Sequence, residues 1–224
     1  MARKTLPCLN VMVVLLVLVN QVALADESSA WLSQVEDPSL RACVASTSAE
    51  QGWRSPLEVR TLKCHSMAIQ SLSGLAQFSA LESLSLYNNQ ISELGSELDS
   101  MQSLDTLNLA RNRIKTISLA GLASLSKLYL FDNGAELLSL KTLPRLSLLK
   151  AQNNRLASFE YHGTPALEKI YIFNNVLEHI DIYNLPVLGY MDCRQNPMPD
   201  LLYDEMDKQE DVVYLHDGNA EDWN

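Results

Sequence analysis

Apolar side chains along the middle of this chain fall on a fixed ruler marked by asparagines. Asn89, Asn112, Asn133, Asn154, Asn175 and Asn196 are spaced by 23, 21, 21, 21 and 21 residues. Eight positions before each of them stands a leucine: Leu81, Leu104, Leu125, Leu146, Leu167 and Leu188. Five and three positions before stand Leu84/Leu86, Leu107/Leu109, Leu128/Leu130, Leu149/Ala151, Ile170/Ile172 and Met191/Cys193. A degenerate first copy carries Val59, Leu62 and Cys64, with Met67 in the asparagine slot. Apolar residues two apart point to one side of an extended strand, so each copy predicts a short strand with these side chains turned inward and its alternate residues turned out. One strand per copy, paired in parallel with its neighbours at about 4.8 Å, makes a stack of coils. The asparagine stands where the chain leaves the strand, and its amide can bond backbone groups that the turn leaves unpaired, within and between coils.

The pattern L-x-x-L-x-L-x-x-N-x-L resembles the leucine-rich repeat family over residues 57–198. That resemblance implies a leucine-rich repeat solenoid of the α/β class, β-rich, with about seven coils and a parallel concave sheet. It also implies a recognition scaffold, which names a class of function without naming a ligand. Beyond each asparagine, apolar residues recur at +2, +5, +7 and +10. The +5/+7 pairs Ile117/Leu119, Leu138/Leu140, Phe159/Tyr161 and Ile180/Ile182 have period two, which predicts short strands or extended turns on the convex side. The longer repeat between Asn89 and Asn112 has room for a helical turn over residues 93–101.

Both ends of such a stack need covers, because a solenoid cut off bare exposes its core. Asp37-Pro38 is an N-cap followed by a first helical position, and Leu40, Cys43 and Val44 share a face of the helix it would start, running to about Glu50. Cys64 occupies an inward strand slot open to that helix, which predicts a Cys43–Cys64 disulfide. Cys193 holds the same slot six coils later, about 29 Å away, and reads as a buried small hydrophobe. From Pro199 onward the chain carries nine acidic residues against Lys208. There Leu201, Leu202 and Met206 suggest an amphipathic turn, and residues 212–215 a covering strand.

The first residues look like an address. Arg3 and Lys4 precede a nine-residue apolar run at 11–19, and Ala23-Leu24-Ala25 is a small-x-small cleavage site, so a secretory signal peptide cut after Ala25 is expected. The run is too short to span a bilayer as a helix. The expected organisation is therefore 1–25 signal peptide, 26–56 N-terminal helical cap, 57–198 solenoid and 199–224 acidic C-terminal cap or tail. The setting would be the periplasm or the cell exterior, where disulfides persist.

Charge and chemistry narrow the function. The whole chain has 17 Lys+Arg against 27 Asp+Glu, and removing Arg3 and Lys4 leaves 15 against 27, or −12. Nucleic acid is an unsuitable partner for such a surface. His65, His162, His179 and His216 are scattered without metal-ligand spacing, and no phosphate loop, G-x-S-x-G elbow or H-E-x-x-H sequence occurs. No catalytic residue, metal or cofactor is expected.

Outward strand positions form three columns on the concave face. One runs Thr61, Ser83, Thr106, Lys127, Leu148, Lys169, Tyr190; the next Lys63, Ser85, Asn108, Tyr129, Lys150, Tyr171, Asp192; the third His65, Tyr87, Ala110, Phe131, Gln152, Phe173, Arg194. Tyr87, Tyr129, Phe131, Tyr171, Phe173 and Tyr190 thus interleave with Lys127, Lys150 and Lys169. Aromatics beside cations are the composition of a binding hot spot, and the basic tint favours an acidic or mixed-charge protein or peptide. Aromatic ladders also stabilise parallel coils for their own sake. A glycan is the alternative partner. Tyr129, Tyr171 and Phe173 would stack on sugar rings, and Asp132, Asn174 and Asp192 would bond hydroxyls.

Overall fold

The computed structural model describes residues 30–218; the signal-peptide reading lies outside them. Helix α1 (Pro38–Gln51) opens the fold. Eleven strands follow: β1 (Thr61–Lys63), β2 (Ser83–Ser85), β3 (Thr106–Asn108), β4 (Thr116–Ala120), β5 (Lys127–Tyr129), β6 (Leu137–Lys141), β7 (Leu148–Lys150), β8 (Ser158–His162), β9 (Lys169–Tyr171), β10 (Tyr190–Asp192) and β11 (Val213–Leu215). Helix α2 (Asp200–Met206) lies between the last two. They form two parallel sheets. The concave sheet has eight strands in the order β1-β2-β3-β5-β7-β9-β10-β11, and the convex sheet has three, β4-β6-β8.

The register follows the ruler. Leu62 pairs with Leu84, Leu84 with Leu107, Leu107 with Leu128 and Leu128 with Leu149, so inward leucines stack in a file, each fully buried. Full burial of such a side chain stabilises by roughly 1.5–3 kcal/mol, and the file repeats that gain coil after coil.

The asparagines tie each coil to the one before it. Asn112 Nδ2 donates to Leu109 O in its own coil (2.9 Å) and to Leu86 O in the preceding coil (3.0 Å), while its Oδ1 accepts from Ile91 N–H (3.0 Å). Asn89 does the same and its Oδ1 takes both Met67 and Ile69 N–H, so the first coil borrows its bracket from the second. The residue before each asparagine is left-handed: Asn88, Arg111, Asp132, Asn153, Asn174 and Gln195 have φ between 53° and 59°. Asn and Asp tolerate that region best, which explains the paired polar residues at the turn.

On the convex side, where short strands or extended turns are expected, three of the four pairs lie in strands. The fourth pair, Ile180 and Ile182, is buried without joining the sheet. Asp181 redirects the backbone there: its carboxylate accepts from Tyr183 N–H (2.8 Å) and Asn184 Nδ2 (2.7 Å), a local turn that competes with strand pairing. Residues 95–100 are a run of turns with no helix, opened by a left-handed Gly95.

Cys43 and Cys64 are joined, with Cα atoms 5.8 Å apart. Asp37 caps α1 through Ser39 and Leu40 N–H and also accepts from Gln70 and Ser71 N–H, so one carboxylate holds the cap to the first coil. Burial alone would raise its pKa; the four amides outweigh it and hold the carboxyl below its ordinary value. At the other end α2 buries Leu202, Tyr203 and Met206, while Leu201 points to solvent, 76 % exposed, and is not part of the apolar face. β11 pairs with β10 and extends the concave sheet by one strand beyond the repeats. Cys193 is a buried free thiol, packed on Met206 Sδ at 3.9 Å, and burial pushes its pKa up to about 12.

Candidate functional site

Because the concave strands are in strict register, residues one coil apart in a column sit side by side. Lys127 lies beside Leu148 and Leu148 beside Lys169, which lies beside Tyr190; Tyr129 lies beside Lys150 and Lys150 beside Tyr171. The third column continues in the turns, where Leu109 N–H bonds Tyr129 O and Arg111 N–H bonds Phe131 O. All nine residues read as a partner-binding set therefore share one face. Lys127 and Lys169 are exposed; Tyr87, Tyr129, Phe131, Lys150, Tyr171, Phe173 and Tyr190 are half-buried, partly occupied by one another.

The face has two aromatic groups. In the first, Tyr87 and Phe131 meet at 6.4 Å between ring centroids although two coils separate them. Ala110, the buried residue between them in the column, leaves space for the rings to lean together. His65 closes on Tyr87 at 5.8 Å, and the Arg111 guanidinium stands 5.5 Å over the Tyr87 ring. In the second group Tyr171 and Tyr190 approach to 5.2 Å, and Lys150 Nζ stands 4.8 Å over the Tyr171 ring. Such cation–aromatic contacts are worth about 0.5–1 kcal/mol at exposed sites, so they pre-order these cations as much as they hold the fold. Tyr190 has its pKa raised, first by burial and then by the neighbouring Asp192 charge.

Sequence reasoning missed Arg111. Its place before a ladder asparagine hides it from the strand columns, yet its left-handed backbone turns the side chain over Tyr87 and within 3.2 Å of Asp132. Asp132 also accepts from Asn153 Nδ2 (2.9 Å), and Asn174 Nδ2 donates to Asn153 Oδ1 (3.0 Å), a second polar ladder along the rim. Asp192 is 3 % exposed and bound in two places by Arg194, at 2.9 and 2.8 Å. Of the three groups suited to sugar hydroxyls, then, Asp192 is consumed within the protein and the other two are engaged in the rim ladder. No lysine of the set makes an ion pair among the described residues.

A set of residues that could hold a metal is absent among the described residues, and no described helix is long and apolar enough to cross a membrane. His162 is exposed on the convex side, and His216 is buried, stacked on Tyr203 at 4.6 Å with Nε2 3.0 Å from Asp207.

A family model described as Leucine rich repeat matches residues 79–134, the stretch holding β2, β3, β4 and β5. The fold is that of a leucine-rich repeat solenoid. Its solenoid is similar to an internalin (InlF) from Listeria monocytogenes, at 20 % identity and a TM-score of 0.52 over 75 % of this chain and 59 % of that one. It is also similar to internalin C2 from the same species, at 18 % identity and a TM-score of 0.55 over 83 % and 96 % of the two chains. A leucine-rich repeat protein of Leptospira interrogans matches at 24 % identity and a TM-score of 0.55, over 63 % of this chain and 38 % of its own length. The repeat protein thus spans 59 % and 38 % of two of these structures, and the likeness is one of fold. No curated protein is a significant match.

Proposed function

We propose that this repeat protein is an exported, non-enzymatic recognition module whose concave face binds a protein or peptide of acidic or mixed charge. The observation that carries the reading is the contiguity of Tyr129, Lys150, Tyr171 and Tyr190 on four neighbouring strands, with Lys127 and Lys169 exposed beside them. Leucine-rich repeat solenoids offer this kind of extended concave surface, and rigid aromatics flanked by cations lose little entropy on binding. Export is supported by the Cys43–Cys64 disulfide, a bond that persists in oxidising compartments, together with the signal-like leader. A neutral sugar is the weaker reading, because Asp132 and Asp192 already serve Arg111, Asn153 and Arg194.

The test is co-purification from the native envelope and secreted fractions, with the wild-type chain beside a Tyr129→Ala/Lys150→Ala/Tyr171→Ala variant shown to melt at a similar temperature. A protein retained by the intact face and lost by the variant supports the reading. Equal capture by both baits sinks it, and a hit on a neutral-glycan array with no protein retained replaces it with the sugar reading.

A further inference from the structure

The convex sheet has an open edge, and the pattern of its backbone bonds identifies which peptide groups are exposed there. Leu137 and Glu136 N–H both donate to Lys115 O, and Gly121 N–H donates to Lys141 O. In a parallel pair alternate residues turn both backbone groups to the same neighbour. Lys115, Ile117, Leu119 and Gly121 therefore face β6, and the amide and carbonyl of Thr116 and Ser118 face the other way. Nothing among the described residues pairs with them. The preceding coil is where a neighbouring strand would have been. Arg113 N–H to Ile91 O (2.8 Å) is the last backbone bond between the two coils on this side, after which residues 92–101 depart into turns. The longer repeat thus leaves a surface cavity of about 500 Å³ against β4, lined by Arg113, Lys115, Thr116, Ser118, Glu93 and Gly95 among others.

We propose that this edge docks an extended acidic peptide, which adds a fourth strand to the convex sheet. Main-chain bonds to Thr116 and Ser118 would supply the pairing, the usual source of affinity when a peptide joins a sheet edge. Arg113 and Lys115 set the sign: both are exposed, neither is ion-paired among the described residues, and Glu93 is the single carboxylate lining the cavity. The same cations oppose each other if two copies meet edge to edge, so a second copy of this chain is disfavoured. The site is independent of the concave face, on the opposite side of each coil.

The test pans a phage-displayed library of random heptapeptides against the full disulfide-bonded chain, then measures synthetic versions of the recovered peptides by fluorescence anisotropy. Ser118→Pro removes an amide that plays no part in the β4–β6 pairing, a position where an edge strand accepts proline. It should weaken the recovered acidic peptides by about tenfold or more. Arg113→Glu/Lys115→Glu, which alters only exposed side chains, should do the same and keeps the test sound if the proline variant fails to fold. The Tyr129→Ala/Lys150→Ala/Tyr171→Ala variant should bind them unchanged. Amide exchange at Thr116 and Ser118 should slow when peptide is added. Recovery of basic or apolar peptides, or acidic peptides sensitive only to the concave variant, overturns the proposal. So does inorganic phosphate displacing every recovered peptide with Ser118→Pro having no effect, which would make the cavity a simple anion site.

Discussion

The two ends of the solenoid are closed by different means. At the N-terminal end the cover is a helix, and a helix offers no backbone groups to the free edge of β1. Attachment falls mainly to side chains instead, the Cys43–Cys64 bond and the Asp37 carboxylate shared between α1 and the first coil, beside one backbone bond from Glu36 N–H to Ser73 O and a close backbone crossing at Gly74. A Cβ on Gly74 would lie 2.1 Å from Gln34 O, so that crossing admits no side chain. At the C-terminal end the cover includes a strand, and β11 takes up the pairing that a further repeat would have supplied. There Leu202, Tyr203 and Met206 bury the apolar end, the Tyr203 hydroxyl donates to Asn196 O, the Asp217 carboxylate accepts from Gln195 N–H, and Cys193 is a free thiol. Both caps use a carboxylate on backbone amides; the cap that cannot continue the ladder adds a covalent cross-link, and the one that continues it relies on strand pairing and packing.

That contrast can be broken in order of effect. Met206→Ala empties a fully buried site under the last coil and should cost about 3–4 kcal/mol, read as a loss of protection in the C-terminal coils by hydrogen exchange while the N-terminal coils keep theirs. Cys43→Ser/Cys64→Ser should cost about 3 kcal/mol in chemical denaturation, with the first coil losing protection first. Asp37→Ala should cost about 2 kcal/mol through lost capping and stranded amides. The Asp37 contribution also carries a pH signature. Its folded pKa is depressed, so the stabilisation is present above the ordinary value of 3.8 and is lost as pH falls toward the lower folded value. Wild type should therefore lose more stability than Asp37→Asn as pH falls below the ordinary value of 3.8. Leu201→Ser, on the exposed side of α2, should change stability by less than about 0.5 kcal/mol. A large loss there would mean that the C-terminal cap is fastened through a surface this contrast leaves out.

The repeat ruler was legible because each slot has a single physical use. Leucines at −3 and −5 must face inward, and an asparagine must bracket the turn, so Leu107, Leu109 and Asn112 could be placed from spacing alone. The N-terminal helix was legible from Asp37-Pro38, and the disulfide from two cysteines on surfaces that had to face each other. What spacing missed depended on side chains acting on backbone. Asp181 diverts its coil from the convex sheet even though Ile180 and Ile182 keep the periodicity, and Leu201 belongs to the apolar letters of α2 without belonging to its buried face. The nine residues of the concave set share a face because register is all that requires. Arg111 over Tyr87 was invisible, since it depends on a left-handed backbone just outside the columns. Asp192 was misjudged as available because Arg194, two residues on, could not be known to fold back on it.

The equal tread of the central coils makes the molecule adjustable in length. Deleting residues 134–154, one whole 21-residue tick, would join Asn133 to Arg155 with every bracket still facing its proper carbonyl. Tyr129 would then lie beside Tyr171, and the span between the two aromatic groups would shrink by about 4.8 Å without any change in curvature on either side. Duplicating the same segment would widen it by that amount. A family of such shortened and lengthened chains would serve as a set of calipers, reporting the size of whatever the face holds by which member grips it best.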